Sequence, residues 1–200
     1  MTSICISCPD ELWARHAASV EHFKNIGLDV KFVNAIHGET FGILSWRPYR
    51  LDRPAAGQLI SMAHTGLCLS HYMVWTACQL MGGNEFLILE DDAVFVDGWM
   101  DNLTEALEDL PEDWDILLIG SSNTEDKPKR HIAGTIYEVK YPFCTHAYMV
   151  NSKSVAKLFL LCRDASMNID ICMMTKAYPA LRVYTVLPRI VSQRDMDLLV

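Results

Sequence analysis

Phe86-Leu87-Ile88-Leu89-Glu90-Asp91-Asp92 is the stretch that decides how this 200-residue chain is read. Its first four residues form an unbroken apolar run. That is the pattern of a strand buried on both faces, as in sheets covered by helices on each side. Gly82-Gly83-Asn84 stands in front of it and stops any helix arriving from upstream. Three carboxylates follow it directly. In open α/β sheets, ligands bind beyond the carboxyl ends of the strands. The run therefore sets Glu90, Asp91 and Asp92 at the edge where a ligand would sit.

Working outward, residues 61–81 carry a helical pattern, with His64, Leu67, His71, Trp75 and Cys78 spaced three and four apart on one side. At the start of the chain, Ser3 to Ser7 is short, apolar and β-prone. Pro9-Asp10 opens a helix to about Ile26, with Leu12, Ala17, Val20, Phe23 and Ile26 near one face. Gly27 ends it as a C′ glycine does, and Asp29 to Val33 is a second strand. This β-α-β opening marks a parallel α/β sheet. Residues 34–60 mix Gly, Pro, Arg and aromatics and read as a long ordered loop, a kind of segment that is usually functional or mobile.

Downstream, Asp97 is placed to cap a helix from Gly98 to about Leu110. Asp115 to Ile119 is another buried strand, followed by a polar loop to His131. Thr135–Val139 and Thr145–Val150 read as strands. Ser152 is placed to cap a helix through Leu161, Asn168 to Tyr178 is a second short helix, and Arg182 to Leu187 is a last strand. The expected class is α/β, one domain over residues 1–200, with no internal repeat.

Composition narrows the function. Half of the residues are hydrophobic and 21% are charged, so the chain folds rather than staying disordered. The formal net charge is −8, and the densest basic stretch, Lys127-Pro128-Lys129-Arg130, is short. Nucleic-acid binding and docking on anionic membranes need a basic face, and none is present. A phosphorylated metabolite stays in play, because a metal ion can supply the positive charge. Seven cysteines scattered through apolar segments suggest free thiols in a reducing compartment. Cys5-Ile6-Ser7-Cys8 matches C-x-x-C, but no second pair stands at zinc-finger spacing. No signal-peptide pattern and no run of roughly 18 apolar residues is present. The working expectation is a cytoplasmic protein without a transmembrane segment.

Glu90, Asp91 and Asp92 lead the candidates for chemistry. Adjacent carboxylates repel and are costly to bury unpaired. In an extended chain Glu90 and Asp92 point the same way and Asp91 points opposite. Two carboxylates on one side suit a hard cation such as Mn2+ or Mg2+, which would bridge the diphosphate of a nucleotide sugar. The plainer alternative is a solvated acidic turn. Asp170, at the start of a short helix, is either a helix-end carboxylate or the base that takes a proton from an acceptor hydroxyl. Ser70 and His71 lie on the central helix, where a histidine is often simply a hydrogen-bonded core residue. Arg15 is placed to reach a phosphate or ribose, or else makes a surface salt bridge. Asn123 sits at a strand end. His146 interrupts an apolar strand, and Gln193 is in the tail.

The order of these segments resembles glycosyltransferase family 25, which includes bacterial lipooligosaccharide galactosyltransferases and collagen hydroxylysine galactosyltransferases. Ile4 to Arg15 is similar to the family's strand-loop-arginine opening, and Phe32 to Gly38 to its second-strand-to-glycine segment. Gly66 to Trp75 resembles its glycine-cysteine-serine-histidine helix, and Leu87 to Ala93 its acidic motif. Trp114–Gly120, Thr145–Val150, Asp170 and Val183 to Gln193 also match. The resemblance implies a GT-A type, Rossmann-like fold with a mixed central sheet. It implies a UDP-sugar donor, often UDP-galactose, a divalent metal such as manganese, and inversion at the anomeric carbon. Carried over to this chain, Glu90, Asp91 and Asp92 become its metal and donor motif, with Asp92 and Glu90 toward the metal and Glu90 and Asp91 also toward the donor. Arg15, Asn123 and Gln193 stand beside them as further donor-binding candidates. The acceptor would be a glycan or a hydroxylated group. The chain departs from the family at Ala63-His64-Thr65, where an acidic residue often precedes the helix glycine, and after Gln193. Those departures keep a donor-binding module open as an alternative. A metal-dependent phosphate hydrolase is a second one, but Cys8-Pro9-Asp10 stands where its nucleophile motif would begin.

Overall fold

The computed structural model describes residues 1–9, 13–38, 62–120, 129–140, 142–143, 145–163 and 167–194. Within them the chain runs β1 (Thr2–Ser7), α1 (Trp13–Asn25), β2 (Lys31–Asn34), α2 (Met62–Met81), β3 (Glu85–Glu90), β4 (Ala93–Phe95), α3 (Trp99–Glu108) and β5 (Ile116–Leu118). It continues through β6 (Lys129–Ala133), β7 (Ile136–Val139), β8 (Ala147–Asn151), α4 (Ser152–Cys162), α5 (Ile169–Cys172), β9 (Val183–Val186) and β10 (Val191–Gln193).

Eight strands form one mixed sheet in the order β2-β1-β3-β8-β5-β9-β7-β6, and β4 pairs with β10 as a separate ribbon. β1 is parallel to both β2 and β3, as the β-α-β opening predicts. β8 lies antiparallel between β3 and β5, and β9 is parallel to β5. The carboxyl ends of β1, β3, β5 and β9 therefore share one edge.

The period of two along β3 explains why its run is apolar throughout. Phe86 and Ile88 face a core shared with Tyr72 and Trp75 of α2 and Leu158 of α4. Leu87 and Leu89 face the opposite core, with Phe23 of α1 and Leu103 of α3. Each such side chain contributes about 1.5–3 kcal/mol relative to exposure, and with helices on both faces no polar side is left over.

Several local expectations change. On α1 the inward residues are Ser19 and Phe23, while Val20 is exposed. On that inward face the Ser19 oxygen lies 2.5 Å from the Asp91 carbonyl and 2.8 Å from the Arg15 carbonyl. His64 of α2 is exposed, unlike His71, Trp75 and Cys78. Asp97 does not cap α3; Gly98 holds that position with φ +71° and no side-chain cap. α4 is capped one residue before Ser152, by Asn151, whose Oδ1 accepts from the Lys153 amide at 3.2 Å. The helix expected over Asn168–Tyr178 is α5 followed by a π-helical turn (Met173–Ala177) and a 3-10 turn (Tyr178–Ala180).

Part of the polar loop before His131 is instead β6, the outermost strand. Its solvent side takes charged residues, such as Arg130 paired with Glu138 at 2.7 Å. β4 and β10, three residues each, carry too little pattern to be anticipated. Most of the loop expected over 34–60 lies outside the described residues.

Candidate active site

β3 ends at Glu90, and Asp91-Asp92 form the turn into β4. The strict alternation expected of an extended chain therefore stops at Glu90. The three carboxylates separate into two environments. Asp91 is clamped: its Oδ2 accepts from the Ser7 hydroxyl at 3.0 Å and the Cys8 amide at 3.4 Å. Its Oδ1 lies 2.5 Å from Arg15 Nη2. The same guanidinium lies 3.6 Å from Asp92 Oδ2, so Arg15 is an inward-facing residue of the site and not a surface pair. Gln193 Nε2 donates to Asp92 Oδ2 at 3.2 Å. The tail reaches there because β10 pairs Gln193 with Ala93 and the Arg194 amide donates to the Asp92 carbonyl.

Asp92 is the unusual carboxylate. It is 9% exposed, and its Oδ1 is buried without a hydrogen-bond partner among the described residues. Burial, then the neighbouring Glu90 charge, with Asp91 adding to them against Arg15 and Gln193, pushes its pKa up to about 6. A buried acceptor left open is rare enough in folded proteins to call for an explanation.

Glu90 turns towards α2. Its Oε1 accepts from the Thr145 hydroxyl at 2.6 Å and meets His71 Nε2 at 3.3 Å. Burial pushes the Glu90 carboxyl up, but the His71 and Thr145 bonds, with His71 and His146 nearby, outweigh it and hold it below its usual value. His71 Nδ1 lies 3.0 Å from the Tyr148 hydroxyl, and the Trp75 indole N–H donates to that same hydroxyl at 2.8 Å.

A close backbone contact sets the position of α2. A Cβ on Gly66 would fall 2.3 Å from the Ile36 carbonyl, and one on Gly38 would fall 1.7 Å from the Met62 carbonyl. Only glycine permits this approach. Ser70 then accepts from the Ile36 amide at 2.8 Å and donates to the Gly66 carbonyl at 2.8 Å. Ser70 thus staples the helix, and His71, the next residue, faces Glu90.

His146 is buried beside the cluster, with its carbonyl accepting from the Glu90 amide at 2.9 Å. Among the described residues its ring nitrogens find no hydrogen-bond partner of ordinary geometry, although the Val191 backbone lies close enough to favour the charged ring. Burial, the larger influence, lowers its pKa. A Cβ on Gly120 would meet His146 Nε2 at 2.4 Å, so this ring fills the end of β5.

Asp170 makes no described contact with the three carboxylates. It lies half-buried in α5, with Oδ1 accepting from the Ile171 amide at 2.8 Å. The Cys68 thiol donates to the Met167 carbonyl at 3.3 Å, which sets the start of α5 beside the amino-terminal half of α2. That half also carries Ser70 and His71, so the start of α5 lies against the same half of the helix. Asn123 lies outside the described residues.

Ser7, Ser19, Thr145, Tyr148 and Trp75 were missed as site residues. Ser7, Ser19, Thr145 and Tyr148 come from elements far from β3 in sequence, and Trp75, on the helix just before it, joins them through Tyr148. The six described cysteines are buried. Burial, with Asp91 next, pushes the Cys5 thiol well above its usual value. Both cysteines of the C-x-x-C pair, Cys5 and Cys8, are buried.

Among the described residues, no three His, Cys, Asp or Glu side chains converge as a ready metal-ligand set. The open Asp92 Oδ1, with Glu90 close by, still suits Mg2+ or Mn2+. Such ions are commonly held by one or two carboxylates together with substrate phosphates rather than by an all-protein cage.

Comparison with solved structures defines the fold. The chain aligns over 98% of its length with 94% of a glycosyltransferase involved in the glycosylation of the major capsid of PBCV-1, at TM-score 0.54 and 11% identity. It aligns with 91% of the inositol-1-phosphate CTP transferase from T. maritima at TM-score 0.51, with the whole chain covered and 9% identity. The fold is thus that of the GT-A-like nucleotide-sugar transferases, with a large mixed central sheet.

Residues 10–173 match the model of glycosyltransferase family 25 (LPS biosynthesis protein), and the chain belongs to that family. A glycosyltransferase 25 family member of Aedes aegypti is 26% identical over 148 residues, which is 68% of this chain and 24% of that protein. Procollagen galactosyltransferase 1 of Danio rerio is 27% identical over 137 residues, 66% of this chain and 22% of that protein. The chain spans about a quarter of the length of these curated relatives. No helix among the described residues is long and apolar enough to cross a membrane.

Proposed function

We propose that this chain transfers a hexose, galactose or glucose, from a UDP-sugar to a hydroxyl of a saccharide or other hydroxylated acceptor, with inversion at the anomeric carbon. The observation that carries the proposal is the buried, unpartnered Oδ1 of Asp92 beside Glu90 and Asp91. Asp92 would hold Mn2+ or Mg2+, with Glu90 beside it. When bound, the cation neutralises the diphosphate and steadies the leaving group. Arg15 and Gln193 orient Asp92, and Arg15 also holds Asp91 in its clamp.

Asp170 is the proposed base. As the acceptor oxygen bonds to the anomeric carbon, its proton passes to Asp170 and the carbon–oxygen bond to UDP breaks, with the electron pair leaving on the diphosphate. Family membership and the galactosyltransferase-named relative support a glycosyl-transfer reading.

Titration calorimetry with UDP, with and without Mn2+, tests the donor site. Wild type should bind UDP in a Mn2+-dependent way and slowly hydrolyse a UDP-sugar when water is the acceptor. Asp92→Asn should lose most of that affinity; unchanged Mn2+-dependent affinity removes Asp92 from the site. UDP binding with no hydrolysis or transfer would make the chain a donor-binding module, and turnover of simple phosphomonoesters would make it a hydrolase.

A further inference from the structure

The buried chain Trp75–Tyr148–His71–Glu90 has a direction that follows from its donors and acceptors. An indole N–H only donates. The Tyr148 oxygen therefore accepts from Trp75 Nε1 at 2.8 Å. Tyr148 is 0% exposed, and its hydroxyl has one other neighbour among the described residues, His71 Nδ1 at 3.0 Å. Leaving a buried hydroxyl proton unpaired costs the full desolvation of that group, so the proton is donated to Nδ1. With Nδ1 accepting, the neutral ring carries its proton on Nε2, and that N–H points at Glu90 Oε1 at 3.3 Å. The Thr145 hydroxyl donates to the same oxygen at 2.6 Å. Both bonds fall on Oε1, and none falls on Oε2 among the described residues.

We propose that Trp75 and Tyr148 are positioning residues, which fix His71 as its Nε2–H tautomer and so pin Oε1 of Glu90 while leaving Oε2 turned to the ligand. The relay reaches the acidic cluster from behind, through α2 and β8. Its effect on ligand binding rests on the donor-site proposal, but the tautomer itself does not. Removing the Tyr148 hydroxyl frees Nδ1 to take the proton. Nε2 would then aim a lone pair at a carboxylate, which repels it. A purely structural role for Tyr148 would leave the tautomer unchanged.

The test is nitrogen NMR of the full chain labelled with 15N-histidine, with the His71 signals identified by their absence in His71→Gln. The expected wild-type pattern is a protonated Nε2 and an unprotonated Nδ1. Tyr148→Phe should give a mixture of tautomers and weaken Mn2+–UDP binding about tenfold, the lower end of what outer partners of a ligand commonly cost. Trp75→Phe should shift both readouts in the same direction. Should the aromatic variants fold poorly, His71→Gln, whose amide can donate to Glu90, should keep most of the UDP affinity that His71→Leu loses. A wild-type His71 protonated on Nδ1 overturns the proposal. So does Tyr148→Phe with the tautomer and affinity both unchanged, or His71→Leu binding as well as His71→Gln. A wild-type chain with the expected tautomer, redistributed in Tyr148→Phe but binding no UDP, supports the relay and overturns the donor site instead.

Discussion

Arg15 Nη2 sits 2.5 Å from Asp91 Oδ1 and 3.6 Å from Asp92 Oδ2, so one guanidinium from α1 serves two consecutive carboxylates beyond β3. The three acidic residues thereby acquire different jobs. Asp91, with Ser7, Cys8 and Arg15 around it, is fully engaged. Asp92 shares the edge of the same cation and keeps one oxygen open.

The first prediction concerns that cation. Arg15→Ala leaves Asp91 buried with only neutral donors. Removing one partner of a buried ion pair commonly costs about 3–5 kcal/mol, most of it from the charge left behind. Urea unfolding of the apo chain should show a loss of that order. Arg15→Lys, with a point charge in place of a fork, should recover part of it. A loss below about 1 kcal/mol, the range of exposed pairs, would mean that the pair is solvated.

How much of this was visible in the sequence follows from physical range. β3 and its carboxylates were visible because an unbroken apolar run and a charge cluster are local signals. The glycines at 38 and 66 were visible as parts of two family-like segments, but their meeting across 28 positions was not. Strand alternation placed Glu90 and Asp92 on one side, and the turn at Asp91-Asp92 broke that rule, because a strand's period ends with its hydrogen bonds. Tyr148 and Trp75 looked like ordinary core residues; that their polar ends meet His71 is a property of the packed sheet. The tail strand β10, only three residues long, brings Gln193 to Asp92 by a pairing that no periodicity could announce.

Asp92 predicts an unusual pH dependence. Its folded pKa is raised from 3.8 to about 6, chiefly by burial. The neutral form suits the fold, so this group's stabilisation is full below about pH 4 and is lost as pH rises through about 6. Asp92→Asn keeps the shape and removes the charge. The melting temperature of the apo variant relative to wild type should therefore be more favourable at pH 7.5 than at pH 4.5. Mn2+ with UDP should raise the wild-type melting temperature at pH 7.5 and leave the variant nearly unmoved. An equal difference between the two proteins at both pH values would contradict the raised pKa.

Thr145→Val tests the other carboxylate with the opposite sign. Glu90 is held below its ordinary value of 4.5, with the His71 and Thr145 bonds overcoming burial. A depressed carboxyl contributes stability above its unfolded pKa and loses it as pH falls through the folded value. Losing the 2.6 Å Thr145 bond should cost about 1.5–3 kcal/mol at pH 7, as for hydrogen bonds to charged groups. The gap to wild type should close as pH drops below about 4.5. Denaturant titrations at pH 7 and pH 4 measure both quantities.

Gly66→Ala tests the contact that seats α2. The new Cβ would lie 2.3 Å from the Ile36 carbonyl and 2.6 Å from the Gly38 amide nitrogen, both backbone atoms that cannot rotate away. Overpacking of this kind costs about 1–3 kcal/mol, occasionally more. Relief requires α2 to move outward, taking Ser70 off the Ile36 amide and His71 off Glu90. Stability and Mn2+–UDP affinity should therefore fall together. Substituting Ala for Gly27, where no atom lies within 4 Å of an added Cβ, should lower stability through its positive φ while sparing UDP affinity. A Gly66→Ala protein that bound UDP normally would show that α2 does not set the site.

Asp170→Asn separates binding from transfer. Asp170 touches none of the three carboxylates, and its described hydrogen bond is with the Ile171 amide, so the donor pocket should not register its loss. The variant keeps an oxygen for that amide, and the short helix should hold. The Asn side chain cannot take a proton from an acceptor hydroxyl. Mn2+–UDP affinity should stay within about twofold of wild type, and transfer to an acceptor should slow about 100-fold or more, the lower end of what a positioned general base supplies. Slow hydrolysis of the UDP-sugar without acceptor reports whether the donor is still mounted correctly. A wild-type transfer rate in Asp170→Asn would assign the proton to another group, and His146, buried next to Glu90, would be the next to replace.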